Sequence, residues 1–282
     1  MMSPLPTNDF KWLDHKSTLP FSQMLKRGKI PHFSGSGFIA EVDLEPPEGC
    51  KDLLNEFPLA PENRSVDPSE LSDLQMGQYF NIYKKVPKKD ANNKNPKLIA
   101  DLNSKSKYII HHQYLKFLLE MGYIVKEVYR VLTFRESCFM REYIEHCTKS
   151  RALARARGDE SDADFWKLSA NAVYGKFIEN VRKYKNYKLC VGSAQKHQAF
   201  TSSPLWACSH YVNVNTSVEE LLPETVRFNK ALAVGLAILD LSKTHMSRFY
   251  YQVLKRVMGS RCRLLYTDTD SFILKMFSYG EF

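Results

Sequence analysis

Asp268 and Asp270 stand one residue apart, between the apolar run Leu264-Leu265-Tyr266 and the run Phe272-Ile273-Leu274. Apolar runs broken by a short polar stretch predict a β-hairpin with the acids at its turn. Like charges this close raise the cost of ionising both unless a cation neutralises them. A hard divalent ion such as Mg²⁺ takes one or two carboxylates together with substrate phosphates. The chemistry implied is phosphoryl transfer at a pair of ions, one activating the attacking oxygen and the other stabilising the leaving one. Two solvated turn acids would have the same sequence, so D-x-D alone leaves both readings open.

Lys167, Asn171 and Tyr174 are spaced i, i+4, i+7 in Phe165-Trp166-Lys167-Leu168-Ser169-Ala170-Asn171-Ala172-Val173-Tyr174-Gly175-Lys176. On a helix all three project from one face. A cation, an amide and a phenol so placed could bind and orient a triphosphate and pack on a base and sugar. A mixed polar face with Tyr174 as a core plug is the alternative.

The elements that must position these groups follow from periodicity. Phe38, Ala40, Val42 and Leu44 alternate with Ile39, Glu41, Asp43 and Glu45, the period of a half-buried strand, which Pro46-Pro47 ends. Residues 1–35 show no clean period. Residues 46–107 read as a loop-dominated insertion with a solvated basic tip at Lys88–Asn95. A helix is predicted over Gln113–Met121 with Gly122 as its C-cap, then a strand over Tyr123–Phe134, rich in β-branched and aromatic residues. Residues 139–157 become helical and basic, with Lys149, Arg151, Arg155 and Arg157. The polar turn Gly158–Asp162 leads to a second helix over Ala163–Val181, making an antiparallel helical hairpin. Short strands are predicted at Tyr187–Val191 and His210–Val214. Ala231–Leu239 reads as a buried strand by its continuous apolarity, followed by a helix capped at Asp240 or Ser242 and running to Met258. Met246, Phe249, Val253 and Val257 form the expected core stripe of that helix.

Composition narrows the partners. The 282 residues are 44% hydrophobic, enough for a sizeable core, and 40 Lys and Arg against 31 Asp and Glu give a formal charge of +9 and a pI near 9.1. That excess suits a polyanion, nucleic acid ahead of membrane, since no basic amphipathic membrane helix stands out. The six cysteines form no C-x-x-C pair and read as reduced intracellular thiols. Adjacent His111 and His112, with no H-E-x-x-H and no cysteine beside them, read as strand or helix polar residues and not as ligands. No basic-then-apolar leader opens the chain and no run of 18 apolar residues occurs, so neither secretion nor a membrane span is expected.

Together, a lysine-asparagine-tyrosine-glycine helix and, roughly ninety residues later, a strand–Y-x-D-T-D-S–strand hairpin resemble motifs B and C of the family B DNA polymerases. Lys167, Asn171, Tyr174 and Gly175 match K-x-x-x-N-x-x-Y-G, and Tyr266–Ser271 match Y-x-D-T-D-S without departure. Gly37–Glu45, Phe57–Glu62, Arg227–Lys230 and Leu239–Lys243 resemble the protein-primed branch found in viruses, linear plasmids and self-synthesising transposons. The resemblance implies an α+β polymerase palm, an antiparallel sheet with helices, interrupted by a helical-hairpin fingers subdomain. Its expected parts are palm at 1–138, with the insertion at about 46–107; fingers at 139–187; and palm again at 188–282. It implies DNA-directed nucleotide addition to a primer 3′ hydroxyl with two Mg²⁺ ions. The implied partners are primer-template DNA, a dNTP and a terminal protein that primes and contacts the insertion. By the same likeness Asp270 is a metal ligand and Asp268 a ligand or close supporter. Lys167 meets the phosphates of the nucleotide, Asn171 assists, Tyr174 packs on the nascent base pair, and Arg151 reaches the triphosphate.

The resemblance also marks gaps. The family's motif A, a strand ending in an aspartate that bridges both metals, is not found. Met2-Ser3-Pro4-Leu5-Pro6, with Phe10 and Trp12 after it, resembles the stretch that follows motif A. A fragment that starts just past that aspartate, lacks the thumb beyond Phe282 and is inactive alone is the expectation. Glu41, Asp43 and Glu45 are read as a solvated strand face, not as replacement ligands or an exonuclease D-x-E. The rival from another class is a non-catalytic nucleic-acid-binding remnant of such a polymerase. A reverse transcriptase fits less well, because its signature sets two aspartates side by side.

Overall fold

In a computed structural model that describes residues 1–31, 35–83 and 96–277, the chain divides into two units, Met1–Phe139 with Leu236–Phe282 and Met140–Gly235. The fold class is α+β. The basic tip at Lys88–Asn95 lies outside the described residues.

The first unit is built on an antiparallel four-stranded sheet of order β1-β6-β2-β5. Its elements run β1 (Leu5–Trp12), α1 (His15–Lys26), β2 (Ser36–Glu45), α2 (Lys51–Leu54), β3 (Glu62–Arg64), α3 (Asp73–Tyr83), β4 (Lys97–Ile99), β5 (Lys105–His111), α4 (His112–Glu120) and β6 (Ile124–Ser137). β2 follows its alternation: Phe38, Ala40, Val42 and Leu44 are buried. The opposite face carries Glu41, Asp43 and Glu45. Glu41 pairs with Arg130 at 2.7 Å and Glu45 with Lys126 at 2.7 Å. Asp43 accepts from the Lys107 amide and the Tyr129 hydroxyl, each at 2.8 Å. Each acid is thus answered across the sheet, as a solvated strand face predicts.

β6 buries Val125, Val128 and Val131, a period of three that no regular strand allows. Two irregularities in its pairing with β2, between Glu41 and Val42 and between Asp43 and Leu44, each insert a residue and reset the phase. α4 ends in a Schellman turn. Gly122 at φ 90° follows it, its amide bonded to Leu119 O and the Tyr123 amide to Leu118 O, both at 3.0 Å.

The N-terminal residues, which show no clean period, form β1 and α1. Asp14 caps α1 by accepting from the Ser17 amide at 2.7 Å. The described residues of the insertion form more than a loop. β3 and β4 pair as a ribbon, and the Arg64 guanidinium bridges Glu70 and Asp101, the latter at 2.7 Å. Buried Lys105 is held between Asp101 and Glu62.

The second unit opens with α5 (Arg141–Ala156) and α6 (Glu160–Phe177), then β7 (Asn186–Val191), α7 (Ala194–Thr201), β8 (Trp206–Asn213) and β9 (Thr216–Leu221), in a sheet of order β7-β9-β8. The turn between α5 and α6 is a second Schellman motif. Gly158 sits at φ 74°, and the Asp159 amide reaches Ala154 O at 3.0 Å. The Asp159 side chain then caps α6 through the Asp162 amide. His146 meets Trp166 edge to face, and the Tyr143 hydroxyl donates to Ser169 O, so the two helices pack antiparallel.

The chain then forms α8 (Leu232–Arg248), a π-helical segment (Phe249–Leu254), α9 (Lys255–Met258) and the hairpin β10 (Cys262–Asp268) and β11 (Ser271–Met276). Here two expectations are corrected. The run expected as a strand at Ala231–Leu239 is helix from Leu232 on, because a short apolar run has the same composition in either state. Asp240 and Ser242 therefore lie inside a helix and cap nothing. The expected stripe is also wrong: Phe249, Val253 and Val257 are exposed, while Ala237, Asp240, Thr244, Ser247 and Tyr251 are buried. The inward face carries polar groups with partners. Asp240 accepts from the His111 amide at 2.8 Å and from Lys243 at 3.0 Å, and Thr244 donates to Asp240 O. The wide π turn lets the adjacent Tyr250 and Tyr251 both enter the core.

Candidate active-site hairpin and nucleotide helix

Asp268 ends β10 and Asp270 lies in the two-residue turn, with Asp268 opposite Ser271 in the register. Both carboxylates are exposed. Thr269 between them sits at φ 50°, a left-handed conformation rare for a β-branched residue. Local bonds hold it there. The Asp270 amide donates to Asp268 O at 2.6 Å, the Thr269 hydroxyl to Asp268 Oδ1 at 3.0 Å and the Ser271 hydroxyl to Asp268 O at 3.0 Å. This turn projects two oxygen-rich side chains from the end of a rigid ribbon. Tyr266 is exposed and Ser271 braces the turn.

The ribbon is anchored from its inner face. Leu264, Phe272 and Leu274 pack on the core, and Phe57 meets Phe272 and Tyr250 edge to face at 5.6 and 5.4 Å. The chief polar anchor, which sequence reasoning passed over, is Glu56. Its Oε2 accepts from the Tyr250 hydroxyl at 2.6 Å, the Leu264 amide at 3.2 Å and Lys255 at 2.9 Å. Burial works to raise the Glu56 carboxyl, but these donors outweigh it and hold the group below its ordinary value. Only a single acid beside Phe57 signals this role in the sequence.

In the second unit α6 carries Lys167, Asn171 and Tyr174 on one face. Lys167 and Asn171 are exposed and, among the described residues, their side chains make no hydrogen bond or ion pair. Tyr174 is half-buried, and burial raises its phenol. Arg151, on α5, is also half-buried, and its buried Nε has no hydrogen-bond partner among the described residues. Just past α6, Glu179 receives Lys230 at 2.7 Å and Lys176 at 3.0 Å, and these donors, Lys230 first, bring its carboxyl down to about 2. Arg182 stacks on Phe228 at 4.9 Å. The Arg227–Lys230 segment is thus fastened to the end of the helix that bears the three candidate residues.

Residues 73–253 match the family described as DNA polymerase type B, organellar and viral. The chain belongs to that family. The match takes in α5, α6 and Arg151, Lys167, Asn171 and Tyr174, and stops before the Asp268–Asp270 hairpin. Among curated relatives, the DNA-directed DNA polymerase of Enterobacteria phage PRD1 is 26% identical over 155 residues, 52% of this chain and 24% of the phage protein. The chain therefore spans well under two thirds of that relative. Among solved structures, Phi29 DNA polymerase complexed with primer-template DNA aligns with 99% of this chain and 36% of its own, at a TM-score of 0.48 and 14% identity.

The hairpin acids and the α6 face lie in separate units, and each was placed on its element correctly by the sequence. All six cysteines are without disulfides, and among the described residues no helix is long and apolar enough to cross a membrane.

Proposed function

We propose that this chain supplies the nucleotide-binding face and two metal-binding carboxylates of a protein-primed, DNA-directed DNA polymerase. In this reading residues 1–138 and 188–282 are palm, and residues 139–187, with the α5–α6 hairpin, are fingers. The observation that carries it is the pairing of an unpartnered Lys167/Asn171/Tyr174 face on α6 with two exposed carboxylates at a braced hairpin tip, in a type B polymerase chain. The partners are a dNTP, primer-template DNA and a terminal protein as first primer. The net charge of +9 suits the DNA. The insertion at about 46–107, which includes the β3–β4 ribbon, is the part that would meet terminal protein.

Asp268 and Asp270 offer hard oxygens to solvent, the donor type that Mg²⁺ takes. When bound, the metal supplies charge neutralisation at the phosphates and activation of the primer hydroxyl. Among the described residues no third carboxylate, histidine or cysteine joins these two in a metal-sized cluster. The rest is positioning. Lys167 donates to the phosphates, and Asn171, one turn on, orients them. Tyr174, held by its partly buried ring, presents a flat surface to the base pair. Arg151 adds a second cation from α5.

Fluorescent dATP binding with Mg²⁺ tests this directly. A charge-assisted hydrogen bond is worth roughly 1.5–3 kcal/mol, so Lys167→Ala should weaken binding by about tenfold or more. Unchanged affinity in Lys167→Ala, with salt-sensitive DNA binding retained, would instead favour a nucleic-acid-binding remnant without polymerase function.

A further inference from the structure

β5 ends and α4 begins at the pair His111-His112, and β6 brings Glu136 against both. His112 Nε2 lies 3.1 Å and His111 Nε2 3.3 Å from the same oxygen, Glu136 Oε1. One ligand atom from each of the three residues falls within 4.8 Å of the others. Tetrahedral zinc with arms of about 2.05 Å sets its ligands about 3.3 Å apart, so the two nitrogen–oxygen contacts, a hydrogen bond and an ion pair in the empty cluster, also match the spacing of a metal's ligands. His111 is fully buried, and Glu136 Oε1 is the polar atom that faces its Nε2. The Gln113 amide donates to His111 Nδ1 at 3.5 Å, so ligation through Nε2 moves the ring proton to Nδ1 at the cost of that one long bond.

The Gly37 backbone packs directly against the cluster. A Cβ on Gly37 would stand 2.6 Å from His112 Nε2 and 2.8 Å from Glu136 Oε1. Gly37 has no left-handed φ, so it is this close approach to the two side chains that calls for glycine. His112 and Glu136 also line a cavity of about 840 Å³, with Gly28, Ile30, Lys116 and Ser137, that gives access to the cluster. The rings are fixed from behind: His111 stacks on Phe134, His112 lies against Phe38, and the His111 amide is held by buried Asp240.

We infer that His111, His112 and Glu136 form a binding site for a borderline divalent ion of the zinc class, with a fourth position open to the cavity. Two imidazoles and one carboxylate select such an ion over Mg²⁺ or Ca²⁺, which take oxygen ligands. The site joins β5, α4 and β6 and is separate from the hairpin acids, so it stands or falls independently of the polymerase reading.

The test uses the 282-residue chain carrying Asp268→Asn and Asp270→Asn, so that the hairpin acids do not hold metal. After loading with zinc and dialysis into metal-free buffer, elemental analysis should find about one zinc per chain, and cobalt loading should give the visible ligand-field bands of a low-symmetry nitrogen–oxygen site. His112→Asn and Glu136→Gln, each checked for fold by circular dichroism, should each lower retained zinc at least tenfold. Glu136→Gln keeps shape and volume and carries the test if His112→Asn does not fold. A parent chain that retains no zinc and shows no cobalt bands would overturn the inference. So would zinc retained equally by both variants, which would place the ion elsewhere.

Discussion

Replacing Glu56 by alanine should loosen the acidic hairpin without touching either hairpin aspartate. The change removes the shared acceptor of the Tyr250 hydroxyl (2.6 Å), the Leu264 amide (3.2 Å) and Lys255 (2.9 Å). Hydrogen bonds to a charged group are worth about 1.5–3 kcal/mol each. The Glu56 side chain is 30% exposed, so water replaces part of what is lost. Tyr250 is fully buried, so its hydroxyl has the least access to water. The net expectation is a loss of about 2–4 kcal/mol. Glu56→Gln, which keeps one acceptor oxygen, should lose about half as much. Urea denaturation gives the stability, and hydrogen exchange at residues 262–276 gives the local effect. Because the Glu56 carboxyl is depressed in the folded state, its contribution is present above its unfolded pKa and is lost as pH falls through the lower folded value. A change below about 0.5 kcal/mol, with hairpin exchange unaltered, would refute Glu56 as the anchor.

Other perturbations follow from the same packing. Gly235→Ala would set a methyl group 2.1 Å from Ile178 Cγ2, and overpacking of this kind costs about 1–3 kcal/mol. Combining it with Ile178→Ala should recover part of that loss in a double-mutant cycle read by thermal unfolding. Asp101 is pushed up by burial but brought down to about 2 by Lys105 and Arg64. Its contribution to stability should be complete above about pH 4 and vanish as pH falls towards 2. Asp101→Asn should therefore flatten the fall in urea midpoint between those limits.

Where local chemistry and the tertiary fold agree, the chain reads plainly. β2 alternates, Gly122 and Gly158 close their helices, and the acids fall at a hairpin turn, because each signal is set by neighbouring residues. The misreadings share a cause in long-range context. α8 looks like a strand followed by an apolar-striped helix, since nothing local reveals that Asp240 and Thr244 face inward. Asp240 is stabilised there by the His111 amide, 129 positions away. β6 conceals its phase because bulges against β2 reset it. β1 and α1 escaped because β1 is largely exposed, with only Leu5 and Pro6 buried, and α1 holds Pro20 within it. At the candidate site, Lys167, Asn171, Tyr174, Asp268 and Asp270 are visible as motifs. Glu56 and Glu179 are not, because their importance comes from partners far along the chain or beyond a helix end; Lys230 is visible within Arg227–Lys230, but its pairing with Glu179 is not. His111 and His112 look in the sequence like polar residues of a strand or helix, and the reach of Glu136 to both has no sequence signal.

Iron-directed hydroxyl-radical cleavage tests most directly whether the hairpin holds a catalytic metal. Fe²⁺ substituting for Mg²⁺ cuts backbone within a few ångströms of where it binds, and cuts made at the histidine cluster would map separately, near 111–112 and 136. The polymerase account predicts cleavage beside residues 268–270 that grows when dATP is added, is competed by Mg²⁺ and disappears in the Asp268→Asn, Asp270→Asn chain. Absence of cleavage there, or cleavage indifferent to both substitutions, would contradict it.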